Sequence, residues 1–284
     1  MTLPERLIRA PGKLVLVGEY AVLDGAGAIV AAVDRGVQCG VFPGAGVETP
    51  GDDRFARAAL EGAPAGRYVF RDWNPVILSG KPGFGGSAAA TVAATLAAGL
   101  PPSRAAQVHT RVQGSGSGVD IHASLRGGVT RFPDGAALPA PLMIAVWSGR
   151  SASTAERVTR YEAWRDRTAF VEESRKIVDS FASDPVTALR EAYRLLQDMA
   201  QRSGVAYDTA EHAAIAALAR ARGGAAKPSG AGGGDVAVAI FPDAERLSAF
   251  AGVAAAAGFT PIRVHVAPAA GAVPVQGWSE APLG

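Results

Sequence analysis

Three glycine-rich segments constrain what this chain can fold into. The first, Gly80-Lys81-Pro82-Gly83-Phe84-Gly85-Gly86-Ser87, runs directly into Ala88–Ala98, a stretch that is apolar on every face. Such a stretch predicts a buried helix. Glycines just before a helix let backbone amides turn toward one point and let a ligand approach closely. The unpaired amides and the positive dipole end of the helix add to them, so the segment reads as an anion seat of the kind that takes phosphates. Ser87 stands at the helix start, where its hydroxyl would suit a helix cap or an oxygen-seeking Mg²⁺.

Known phosphate signatures narrow the reading. GxxxxGK[ST] is absent. GxGxxA occurs at Gly83–Ala88, but no Asp or Glu lies between Trp73 and Val119, so the ribose-binding carboxylate of a dinucleotide fold is missing. The second segment, Gly114-Ser115-Gly116-Ser117-Gly118, leads to Val119-Asp120, the first carboxylate after that acid-free stretch. A carboxylate beside phosphates is costly unless a metal or lysine accompanies it, and Lys13 is the candidate companion. The third segment, Lys227-Pro228-Ser229-Gly230-Ala231-Gly232-Gly233-Gly234-Asp235, offers another nest of amides beside a lysine and opens into an apolar strand. Four lysines (Lys13, Lys81, Lys176, Lys227) stand among 28 basic residues, and three of them lie in or beside glycine-rich stretches. A compact point charge at those places cannot easily be exchanged for the broad guanidinium of arginine. Two nests and two lysines suggest two phosphorylated ligands held close together.

Strands are predicted at Lys13–Val17, Ala28–Val33, Gly36–Phe42, Pro75–Leu78, Leu142–Trp147, Asp235–Phe241 and Ile262–Val266. Helices are predicted over Ala88–Ala98, from Ser103 to about Gln113, as one long amphipathic helix from Val158 to Phe181, from Val186 to Met199, from Asp208 to Gly223, and over Ala244–Ala257. The composition shifts near residues 135–140, which divides the 284 residues into two α+β halves, 1–137 and 138–284. Basic and acidic residues, 28 and 26, are intermixed, which excludes the concentrated basic face of a nucleic-acid binder. The longest apolar run, Ser87–Leu100, is too short to span a membrane. The opening MTLPERLIRA lacks a signal-peptide core, and the lone Cys39 rules out an internal disulfide; a cytoplasmic protein is expected.

Ala10-Pro11-Gly12-Lys13-Leu14 with Gly18-Glu19-Tyr20-Ala21-Val22-Leu23, then Gly83-Phe84-Gly85-Gly86-Ser87-Ala88-Ala89, then Gly230-Ala231-Gly232-Gly233-Gly234 resemble, in this order, the three motifs of the GHMP kinase superfamily. Within it, His109, Gln113, Gly114 and Gly116-Ser117-Gly118-Val119-Asp120, with Lys227-Pro228-Ser229-Gly230 and Ser151-Ala152-Ser153-Thr154, look most like the phosphomevalonate kinases. Mevalonate kinases typically place a metal-binding glutamate where His109 stands. The resemblance implies a ribosomal-S5-like N-terminal domain, a ferredoxin-like C-terminal domain and an active site between them. It implies ATP and Mg²⁺ as cofactors and small-molecule partners, in a monomer or homodimer.

It also implies that ATP phosphorylates 5-phosphomevalonate. Lys13 and Asp120 would be catalytic. Gly83, Gly85, Gly86, Ser87 and Ala88 would hold ATP, with Ser87 on the metal. Lys13, Gly116, Ser117, Ser153, Lys227, Ser229 and Gly230 would bind the acceptor. Gly86 replaces the family's usual first serine, and Lys81 is as readily a solvated surface lysine as a phosphate contact. A mevalonate kinase, or a nucleotide-binding relative without turnover, are the alternatives.

Overall fold

The structure, a computed structural model, describes residues 2–278 except 77, 79, 115 and 153. In chain order the elements are β1 (Arg6–Val17), β2 (Ala28–Phe42), β3 (Gly46–Glu48), α1 (Arg54–Ala59), β4 (Arg67–Trp73), α2 (Gly86–Ala97), α3 (Ser103–Gln113), α4 (Val119–Arg126), β5 (Val129–Phe132), β6 (Ala137–Leu138) and β7 (Leu142–Trp147). Then come α5 (Ala155–Ala163), α6 (Thr168–Ser180), α7 (Pro185–Ser203), α8 (Ala210–Ala221), β8 (Ala225–Pro228), β9 (Val236–Phe241), α9 (Ala244–Ala256), β10 (Thr260–Ile262) and β11 (Gly271–Ala272). No helix among the described residues is long and apolar enough to cross a membrane.

Two sheets organise these elements. The first has the order β11-β1-β2-β4-β3, with β5 on β2 and β6 on β5; the second runs β10-β7-β9-β8, all neighbours antiparallel. The Ala-rich α2 buries Ala88, Ala89, Val92 and Ala93 against the first sheet, as its all-round apolar pattern requires. α8 and α9 cover one face of the second sheet through Ile215, Ala219, Phe250 and Ala254. Its other face, with Ala145, Trp147 and Val238, shares a core with Leu14, Leu16, Ile29 and α6 and α7. We propose 1–137 and 138–284 as the two domains; the chain end crosses back, because β11 pairs with β1.

Several elements differ from their sequence signal. Ala28–Val33 and Gly36–Phe42 are one strand, because Gly36 packs against a bulge in β1 rather than turning: a Cβ there would lie 2.1 Å from the Ala10 carbonyl oxygen. A Cβ on Gly12 would lie 1.9 Å from the Arg35 carbonyl oxygen, so Pro11-Gly12 and Gly36 meet backbone to backbone. The described residues of Pro75–Leu78 form no strand; β4, unforeseen, pairs along Gly36–Phe42 instead. The long helix is broken into α5 and α6. Arg167 folds back onto the Glu162 and Trp164 carbonyls and pairs with Asp24, satisfying the end of α5 from a distant loop. α8 is capped by Thr209, whose hydroxyl accepts from the His212 amide; Asp208 accepts instead from the Tyr193 hydroxyl and the Gln197 amide. The final strand ends at Ile262, because the chain then leaves the second sheet, and Val266 forms an isolated bridge to Val33.

Candidate active site

Lys13 owes its place to the bulge. The register of β1 shifts between Ala10 and Gly12, and the Lys13 amide donates to the Phe84 carbonyl at 2.8 Å, tying the strand to the first glycine segment. The lysine is 7% exposed, and its Nζ lies 3.9 Å from Asp120 Oδ1. Leu14 and Leu16, its neighbours in the strand, are fully buried in the core and hold the strand in register.

Two helix N-termini converge on this lysine. α2 starts after Gly85, which has φ +76°; a Cβ there would stand 3.0 Å from Lys13 Cγ and 3.5 Å from Asp120 Oδ2. α4 starts after Gly118, with φ +81°, and carries Asp120 in its first turn. This helix was not legible in the sequence, where Asp120 stood only as a carboxylate after a glycine segment. Each N-terminus offers unpaired amides and a positive dipole end, and the lysine ammonium sits between them. Gly230 closes the third side: a Cβ on it would lie 3.3 Å from Lys13 Nζ.

Ser87 and His109 join the same cluster. Ser87 Oγ and His109 Nε2 are 3.3 Å apart. His109 is buried, with the Phe55 ring 5.2 Å away. Burial pushes its imidazole below the ordinary value, against the pull of Asp120, so it stands neutral at neutral pH. Gly86 has open space where a side chain would be, and Ala88 is buried beneath the loop. The cluster opens into a cleft lined by Lys13, Glu19, His109, Gly116, Ser117, Asp120 and Gly230, with Val15, Val22, Val119 and Val158 as apolar lining.

The structure thus gathers Lys13, Gly85, Ser87, Asp120 and Gly230 with Gly116 and Ser117, and Gly83 at the loop's base. Two expected acceptor residues are elsewhere. Lys227 is fully buried, ion-paired with Glu19 and donating to the Pro228 carbonyl at 2.9 Å; burial lowers its basicity, with Glu19 opposing. Ser229 accepts from the Val15 amide at 2.9 Å and donates to its carbonyl at 3.3 Å. Their polar atoms are engaged with Glu19, just after β1, and with Val15 of β1. Ser153 lies outside the described residues. Lys81 is exposed, and its charge acts on Asp52 and Asp72. His109, whose role the sequence left undecided, lines the cleft beside Ser87.

A helix-flanked lysine, a loop of amides and a serine at the helix start define a phosphate-handling enzyme. No protein-family model matches the chain. It is 32% identical to phosphomevalonate kinase of Streptomyces sp. (strain CL190), over 86% of this chain and 92% of that one. It is 30% identical to mevalonate kinase of Archaeoglobus fulgidus, over 82% and 91%. The Lin0012 protein from Listeria innocua superposes with a TM-score of 0.80 at 24% identity, covering 94% of this chain and 99% of its own. Streptococcus pneumoniae phosphomevalonate kinase in complex with phosphomevalonate and AMPPNP does so with 0.75 at 16%, covering 92% and 99%. The chain belongs to the GHMP kinase superfamily, with its α+β two-domain fold. Both curated relatives are kinases, which implies kinase activity with ATP as the phosphoryl donor.

Proposed function

We propose that the chain transfers the γ-phosphoryl group of ATP to the phosphate of (R)-5-phosphomevalonate, giving 5-diphosphomevalonate and ADP. The observation that carries this is the pair of helix N-termini flanking one lysine, with the His109 ring beside Ser87. One N-terminus suits the donor phosphates and the other an acceptor that is itself a phosphate. The valine-lined side of the cleft suits the aliphatic middle of such an acceptor.

In this reading an acceptor phosphate oxygen attacks the γ-phosphorus, and the bond to the β-bridging oxygen breaks, leaving its electrons on ADP. The attacking oxygen is already largely ionised at neutral pH, since the second pKa of a phosphate ester is about 6. No strong base is needed, so positioning and charge neutralisation carry the catalysis. The Lys13 ammonium lies between donor and acceptor and offsets their repulsion. Asp120 holds that ammonium in place. The amides of Gly116–Gly118 and the start of α4 receive the acceptor. Ser87 and Asp120 supply oxygen donors facing the same loop, which fits Mg²⁺ brought in on the nucleotide. When bound, that ion neutralises charge on the donor phosphates.

ADP release measured with 5-phosphomevalonate and with mevalonate, the product followed by phosphorus NMR, tests the reading. We expect kcat/KM to favour the phosphorylated acceptor by ~10²-fold or more. Equal or better turnover of mevalonate would make Asp120 a base for an alcohol and overturn the proposal.

A further inference from the structure

The first glycine segment does not stand on its own strand and helix alone; it is stapled to the second half of the chain. The Lys81 amide donates to Ser151 Oγ at 2.9 Å, and that hydroxyl donates back to the Lys81 carbonyl at 3.0 Å. One residue on, the Ala152 amide donates to Asp235 Oδ1 at 3.0 Å, and the Asp235 amide donates to the Arg150 carbonyl at 2.8 Å. The Val236 amide donates to the Pro82 carbonyl at 3.0 Å. Arg150–Ala152 is therefore a strap fixed on one side to the phosphate loop and on the other to Asp235.

Asp235 also presses on the loop directly. Its carboxylate lies against Gly83, where a Cβ would meet Oδ2 at 2.4 Å. Its own backbone has φ +60°, a left-handed conformation that few residues other than glycine, Asn and Asp tolerate. The cations acting on it are Lys13 and Arg157. A carboxylate placed under an anion-binding loop opposes the charge the loop must attract, so attraction for the nucleotide does not explain it. Shape and hydrogen bonding do.

We propose that Asp235 is a positioning residue for the phosphate loop: by accepting the Ala152 amide and packing on Gly83, it locks the strap to residues 80–83 and fixes the amides that receive the donor phosphates. This rests on the nucleotide occupying that loop.

The test uses Asp235→Gly, which keeps the left-handed backbone and deletes the carboxylate, Asp235→Asn, which keeps the acceptor oxygen, and Ser151→Ala, which cuts the other staple. ATP binding is measured by calorimetry alongside both KM values. D235G, which deletes the hydrogen bond with Ala152, and S151A, which deletes the two with Lys81, are expected to weaken ATP binding and raise its KM about fivefold or more. The acceptor KM should move less than about twofold, and D235N should stay within about twofold of wild type. The double variant D235G/S151A should be no worse than the weaker-binding single, because both cut one strap. Wild-type ATP affinity in D235G, loss in D235N equal to that in D235G, or additive losses in the double variant would overturn the inference. If D235G does not fold, S151A, which leaves the left-handed residue intact, decides it. A wild-type protein that binds no ATP would refute the kinase reading itself, and the inference with it.

Discussion

Lys13 faces the cleft but is closely flanked on two sides, because Cβ atoms added on Gly85 and Gly230 would lie 3.0 Å from its stem and 3.3 Å from its ammonium. A planar guanidinium is wider than this space. Lys13→Ala is expected to lower kcat/KM by ~10³-fold or more with the fold retained, and Lys13→Arg to recover little of it. Steady-state kinetics with circular dichroism on the same samples checks both. Asp24 shows the opposite case, a charge serving stability. It accepts the Tyr161 hydroxyl at 2.6 Å and two nitrogens of Arg167, the closer at 2.8 Å. Burial raises its pKa, but those hydrogen bonds outweigh it and hold the carboxyl below its ordinary value. A carboxylate lowered on folding stabilises above its unfolded value, about 4, and that stability is lost as pH falls through the folded value. Asp24→Asn should therefore cost ~1–2 kcal/mol at pH 7, and the gap to wild type should close as the pH is lowered below about 4. Denaturant midpoints across that range measure it.

At the scale of elements, the phosphate loop shows two glycines of different kinds. Gly85 needs its left-handed backbone and the absence of a side chain. Gly86, the first residue of α2, needs neither, because nothing stands within 4 Å of where its Cβ would be. Gly86→Ser is expected to keep stability within ~0.5 kcal/mol and the KM for ATP within about threefold of wild type. Gly85→Ala should cost ~1 kcal/mol or more in stability and weaken ATP binding. Melting curves and ATP titrations of the two variants distinguish them. The motif in the sequence marks both glycines alike; the reason they differ is that only one faces Lys13.

At the scale of the molecule, the two sheets meet at a buried clasp. Lys227 of β8 pairs with Glu19, which follows β1, and Ser229 bonds both backbone groups of Val15. The Gly230 amide adds a bond to Glu19 at 3.3 Å. Removing one partner of a buried pair leaves an uncompensated charge, so Lys227→Met is expected to cost ~3–5 kcal/mol. The double variant Glu19→Gln/Lys227→Met should cost less than the sum of the singles. Lys227→Met alone should raise the acceptor KM, because it leaves Glu19, which lines the cleft, without its partner, and the Glu19→Gln/Lys227→Met double variant should restore it. A double-mutant cycle in denaturant, with kinetics on each variant, tests both.

The sequence by itself determined the three glycine segments and the buried Ala-rich helix after the first, and it singled out Lys13, Ser87 and Asp120 as candidates. Those signals are local: a helix start, a turn and a lysine beside glycines depend on residues a few places apart. The motif resemblance added the superfamily, which the curated relatives bear out. Tertiary structure alone decided which lysine faces the cleft. Lys13 and Lys227 both sit in family motifs, but the ion pair with Glu19 spans 208 positions and buries the second completely. It also decided that α5 ends where Arg167 reaches Asp24, and that Asp235 bears on Gly83. Each of these depends on two distant segments meeting across the join between sheets. The energy of such a contact comes from desolvation and from partners that no short stretch of sequence contains.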